Sequence, residues 1–239
     1  MQHVFSTEDE YLKGLSTFVI DTYKTSVEDH GCFYVALSGG SAATLLAKSL
    51  QSEAGDMDFS KWKIFFCDER YVPLNDADSN FKGIHDNLFL KVPVTRENIV
   101  VMAMCDSVEE AAADYEAKLR KSFDVSAPDI PRFDLLVLGM GPDGHTCSLF
   151  PDHELLDEKE KLVRSISASP KPPPQRITFT LPLVNNARKA VFITTGKGKA
   201  ENIRKALKEQ PSRSLPASLV QLTDGEVHWF MDKDAASLL

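Results

Sequence analysis

The run FDLLVLGMGPDGHTCSLFP at residues 133–151 constrains this chain more than any other segment. Leu135 to Leu138 is a short, continuous apolar stretch, the pattern of a strand buried on both faces. It stops at Gly139, and Gly141 and Gly144 follow with Pro142 between them. Glycines there let the backbone bend sharply and pass close to a ligand. Asp143 and His145 follow the strand's carboxyl end, which is where open α/β sheets place their ligands. Histidine titrates near neutral pH and can carry protons both ways.

The rest of the chain repeats the alternation that such a strand needs. Helical spacing runs from Thr7 to about Val27, with Ser6 or Thr7 as cap. Phe33–Leu37 is a candidate strand followed by Ser38-Gly39-Gly40-Ser41 and a helix through Leu50. Ile64–Phe66 is a strand ending in Cys67-Asp68-Glu69-Arg70. Asn80–Leu90 reads as helix, Ile99–Met102 as strand and Ser107–Phe123 as an amphipathic helix. Strands at 163–166, 177–180, 191–194 and 227–231, a helix over 197–208 and a short closing helix complete the pattern. Strands alternating with helices predict an α/β fold, a mostly parallel doubly wound sheet with helices on both faces. Residues 1–239 are expected to form one domain. The run Ser169-Pro170-Lys171-Pro172-Pro173-Pro174 is expected to be a stiff loop within it.

The formal net charge of -8 argues against a nucleic-acid partner or an anionic membrane surface. No segment approaches the roughly 18 apolar residues of a membrane span, and the N-terminus shows no secretory pattern. The four cysteines, at 32, 67, 105 and 147, form no CxxC pair and are expected to be reduced thiols of a cytoplasmic protein. The six histidines show no HxH or HExxH spacing, so no metal is expected.

A local basic pocket remains compatible with the acidic total. Ser38, Gly39, Gly40 and Ser41 sit where a strand turns into a helix, and backbone amides there can hold an anion. A turn without ligand explains the same residues equally well. Arg70 leaves another strand end and can form paired hydrogen bonds to a phosphate. Lys171, Arg176, Lys197 and Lys199 are further bases at loops and strand ends that can complete such a pocket. The glycines at 139, 141 and 144 also fit GxGxxG. The segment after them makes a poor helix start, which weighs against a dinucleotide site.

These motifs together resemble the 6-phosphogluconolactonase family: SGGS at 38–41, DER at 68–70, GMGPDGHTCSLFP at 139–151, SPKPPPQRIT at 169–178 and the later GKGKA. They span most of the chain in the family's order. The resemblance implies hydrolysis of 6-phosphogluconolactone to 6-phosphogluconate in the oxidative pentose phosphate pathway, without metal or organic cofactor. It implies His145 as the catalytic histidine, and SGGS, Arg70 and the later bases as phosphate surroundings. Asp143 either orients the ring of His145 or shapes its loop. Two departures stand out: Ala42-Ala43 follow SGGS where the family often has Thr-Pro, and Cys147 stands where it often has alanine.

Two other readings belong beside this one. Glucosamine-6-phosphate deaminase shares the fold, but Thr146 to Pro151 lacks the glutamate that its acid–base relay needs. A non-catalytic sugar-phosphate sensor is the second. The expected partner is a small phosphorylated lactone, and a monomer is the default expectation.

Overall fold

The computed structural model describes residues 1–51, 55 and 57–239. Its strands are β1 (Gln2–Phe5), β2 (Phe33–Leu37), β3 (Trp62–Phe66), β4 (Asp68–Arg70), β5 (Leu135–Leu138), β6 (Val163–Ile166), β7 (Arg176–Phe179), β8 (Lys189–Thr194) and β9 (Glu226–Asp232). The helices are α1 (Glu8–His30), α2 (Gly40–Gln51), α3 (Asn80–Ile84), α4 (Val108–Phe123), α5 (Leu181–Val184) and α6 (Ala200–Lys208).

Six strands form one sheet in the order β1-β9-β8-β5-β2-β3, and every neighbouring pair runs parallel. Alternation along its strands explains the two layers of core. Leu135 and Val137 of β5 join one apolar cluster, with Leu15, Val19 and Leu46 from α1 and α2. Leu136 and Leu138 join the other, with Ala111, Tyr115 and Ile203 from α4 and α6. A parallel strand buried on both faces must be apolar throughout, which is why LLVL carries no polar residue.

Local chemistry sets the helix ends. Thr7 Oγ1 accepts from Glu10 N at 3.2 Å, and Ser6 N donates to Glu10 Oε2 at 2.9 Å, a reciprocal cap. Ser107 caps α4 by accepting from Glu110 N at 3.1 Å. Each cap fixes where the chain leaves the sheet and turns back along it.

Several expectations are corrected. The strands read at 163–166 and 177–180 do not join the parallel sheet. They become β6 and β7 of a separate antiparallel sheet, ordered β4-β7-β6. Asp68–Arg70, read as a strand end, is itself a strand of that sheet. Ile99–Met102 forms only a single bridge, Ile99 with Ile64. Its side chains divide between the two apolar clusters instead of extending a ladder: Ile99 and Val101 pack in one, Val100 and Met102 in the other. The helix from Asn80 changes into a wider π turn at His85–Phe89. The chain closes on turns where a short helix was expected. The edge strand β1, too short to show a period, went unread.

Among the described residues no helix is long and apolar enough to cross a membrane. No group of three or more His, Cys, Asp or Glu among them could hold a metal ion.

Candidate active site

From β2 the sheet continues to β3 on one side and to β5 and β8 on the other. The crevice between β2 and β5 is therefore the switch point of the winding, where a doubly wound sheet opens to a ligand. The loop Ser38–Ser41 leaves β2 on one side of this crevice, and Gly139–His145 leaves β5 on the other. A cavity of about 210 Å³ lies here, lined by both segments together with Asp68, Arg70, Asn80, Arg176 and Lys199.

The histidine loop folds on itself. Gly141 N donates to His145 O at 2.8 Å, and Thr146 Oγ1 to Gly139 O at 2.9 Å. This brings the imidazole over position 141, where a Cβ would stand 2.1 Å from His145 Cε1 and Nδ1. Any side chain at 141 would expel the ring, so the glycine is required by close approach. Asp143 Oδ1 lies 2.5 Å from His145 Nδ1. Asp143 thus contacts the ring directly, which spacing alone left open.

The electrostatics of this pair fix its protons. Burial works to raise the Asp143 carboxyl, but hydrogen bonds from Lys171 and His145, and their charges, outweigh it and bring the pKa to about 2. Burial lowers the His145 imidazole below its ordinary value, against the pull of Asp143 and with the help of the Lys171 charge. An ionised carboxylate only accepts. A neutral ring that donates from Nδ1 to this carboxylate has the lone pair of Nε2 available.

The opposite wall holds amides and cations that can receive an anion. Gly40 to Ala42, the first residues of α2, line the cavity, and the first amides of a helix have no carbonyl partner within it. Ser38 is only 6% exposed, and its Oγ has no hydrogen-bond partner among the described residues. Arg70 donates from Nη1 to Asp78 O at 2.7 Å, while its buried Nε is likewise unpartnered among them. The Lys199 ammonium reaches Met140 O. Burial, then the charge of Lys171, lowers the Lys199 pKa from its ordinary value.

Arg176 turns most of its donors to protein atoms. Its Nε donates to Pro173 O, Nη2 to Lys171 O and Pro172 O, and Nη1 to Ser148 Oγ, at 2.9–3.3 Å. A guanidinium has five N–H groups, so one remains for a ligand. Arg176 lines the cavity, but mainly it fastens the proline loop. Lys197 is exposed on the 3₁₀ turn 197–199 and does not line the cavity; of the two lysines there, only Lys199 turns inward.

Sequence reasoning missed Asn80 and gave Asp68 no role. Asn80 Nδ2 donates to Asp68 O at 2.9 Å and Oδ1 at 3.3 Å, and Ser148 Oγ donates to Asp68 Oδ2 at 2.6 Å. Asn80 Oδ1 also occupies the space beside Gly39, 2.0 Å from where a Cβ would be. Glu69, by contrast, is spent on structure: its carboxylate accepts from the Arg70, Asn80 and Phe81 amides and from Ser79 Oγ. Position in DER could not separate these two acids, since alternation of side chains decides it.

Fold and site together define an α/β protein with a cavity at its switch point, lined by helix-start amides, cations and an imidazole in contact with a carboxylate. The chain belongs to the family of glucosamine-6-phosphate isomerases/6-phosphogluconolactonase, whose profile matches residues 6–229. It is 45% identical to the bovine protein named 6-phosphogluconolactonase, covering 99% of this chain and 92% of that one. It is 48% identical to the human protein of that name, covering 87% and 81%. Among solved structures, the Thermotoga maritima 6-phosphogluconolactonase superposes with a TM-score of 0.83 at 29% identity, covering 98% of this chain and all of the other. A monomeric glucosamine-6-phosphate deaminase superposes with 0.77 at 20% identity, covering 100% and 99%, which shows a shared fold only.

Proposed function

We propose that this enzyme hydrolyses 6-phospho-D-glucono-1,5-lactone to 6-phospho-D-gluconate, with His145 moving the protons. The observation that carries the reading is the imidazole of His145, in contact with Asp143 at Nδ1 and lining one small cavity together with the start of α2, Arg70 and Lys199.

Nε2 of His145 takes a proton from water as the water oxygen bonds to the lactone carbonyl carbon. Negative charge gathers on the carbonyl oxygen, where hydrogen-bond donors of the cavity lower the barrier. When the ester C–O bond breaks, the departing ring oxygen takes the proton back from Nε2, and the new carboxylic acid releases its own proton to solvent. Asp143 holds the ring through both transfers and keeps Nδ1 protonated. The phosphate, remote from the breaking bond, docks on the start of α2, Arg70 and Lys199. Its binding energy positions the lactone against the imidazole. This route needs neither metal nor organic cofactor, because a lactone is already an activated acyl group. A single domain working as a cytoplasmic monomer in the oxidative pentose phosphate pathway completes the proposal.

The test mixes purified protein with freshly made 6-phosphogluconolactone and follows acid release against the spontaneous rate. A parallel reaction with glucosamine 6-phosphate is assayed for ammonia. Accelerated acid release without ammonia is the expected result. Ammonia release, or no acceleration with either compound, would remove the proposal.

A further inference from the structure

The steps above rest on Asp143 and His145, yet a third charged group touches both. Lys171 Nζ donates to Asp143 Oδ1 at 2.9 Å and stands 3.2 Å from His145 Nδ1. An Nδ1 that donates to Asp143 has no lone pair with which to accept from the ammonium. The short separation therefore sets a full positive charge against the edge of the ring. Protonating Nε2 would create a second positive charge at that distance.

We propose that Lys171 is a positioning residue for the reaction: it anchors Asp143 and, through its charge, adds to burial in holding the His145 ring neutral so that Nε2 stays available as a base. This deepens the lactonase reading and rests on His145 acting as that base.

The way the lysine is held supports a dedicated role. It lies in a loop whose prolines remove backbone donors, so that loop can be secured mainly through its carbonyls. Arg176 does this, donating to the carbonyls of residues 171, 172 and 173. Ser169 completes the loop: its Oγ accepts from Lys171 N at 3.2 Å, and its own N donates to Pro174 O at 2.9 Å. A buried guanidinium, 3% exposed, thus fixes the backbone from which the ammonium reaches the histidine.

The charged groups around the ring come from several elements. Asp143 on its own loop and Asp68 on β4 favour a proton on the ring, whereas Lys171 on the proline loop opposes it. Arg70, Arg176 and Lys199 occupy the remaining walls of the cavity. Of the cations, Lys171 alone is within hydrogen-bond distance of the imidazole among the described residues.

The experiment replaces Lys171→Met, which keeps the length and removes the charge, and Lys171→Arg, which keeps the charge. The titration of the His145 ring is followed by NMR in the free protein. In Lys171→Met it is expected to move up by about one pH unit, and in Lys171→Arg to stay near wild type. The acid limb of kcat/KM should move with it. The loss should reach about tenfold on the acid side and shrink as pH rises. An unmoved ring titration in a folded Lys171→Met protein overturns the proposal. So does an equal loss at every pH, or a change confined to KM, which would make Lys171 a substrate contact. Should Lys171→Met not fold, the arginine variant decides: its ring titration must stay near wild type, and a clear shift counts against the proposal. The NMR arm needs no substrate, so failure of the lactonase assay and failure of this inference are separate results.

Discussion

The two sheets meet at one cavity and supply it with different things. The parallel sheet contributes mainly backbone: the amides that open α2 after β2, and the glycine-rich turn after β5 that carries a single imidazole, together with the Lys199 ammonium after β8. The antiparallel sheet contributes most of the charge: Asp68 and Arg70 from β4 and Arg176 from β7 line the cavity, while Lys171, from the loop joining β6 to β7, reaches the Asp143–His145 pair. Parallel strands buried on both faces have only their ends free for chemistry. The small antiparallel sheet crosses those ends and can send long side chains into the space above them. Damage to the turn after β5 is expected to appear in turnover, damage to the start of α2, Arg70 or Lys199 in binding, and damage to Lys171 in the ring's titration.

The sharpest break would come from His145→Ala. Turnover is expected to fall about 10³-fold, the range of a lost general acid–base group, with much less change in KM. Steady-state kinetics on the phosphorylated lactone measures it, and turnover near wild type would leave the parallel side without its chemical role. Arg70→Ala should act on the other side. KM for the phosphorylated lactone should rise about tenfold to a hundredfold, with little change toward a phosphate-free lactone. Equal losses on both compounds would show that Arg70 acts on the fold or the ring instead of the phosphate. Lys197→Ala should be the smallest effect, under about twofold in kcat/KM, since its side chain is exposed and off the cavity. A loss as large as that of Arg70→Ala would mean that the turn at 197–199 rearranges to bring this lysine inward.

The same division explains what could be read in the chain beforehand. Parallel strands announce themselves by unbroken apolar runs with polar, glycine-containing loops after them, so Phe33–Leu37, Leu135–Leu138 and those loops were legible, as was the position of Asp143 and His145 beyond the end of β5. The antiparallel sheet was not. Its strands are three or four residues long and differ from parallel ones only in their partners, which lie far away in sequence. Arg176 was read as a phosphate ligand because its type and place suit one. Nothing local shows that four of its five donors turn to protein atoms. Lys197 and Lys199 are the same residue two positions apart, and only the turn between them selects which faces the cavity. Asn80 looked like an ordinary helix start, since its partners Asp68 and Gly39 belong to other segments.

The fit of Asn80 against Gly39 has a consequence for how such chains can drift. The amide of residue 80 fills the volume that a methyl group at 39 would need, and it steadies Asp68 from there. Enlarging position 39 therefore demands a smaller neighbour at 80, and that exchange gives up the donor holding the carboxylate. The two sites inherit change jointly, and neither can be replaced alone without loosening the joint between the anion loop and the charged wall.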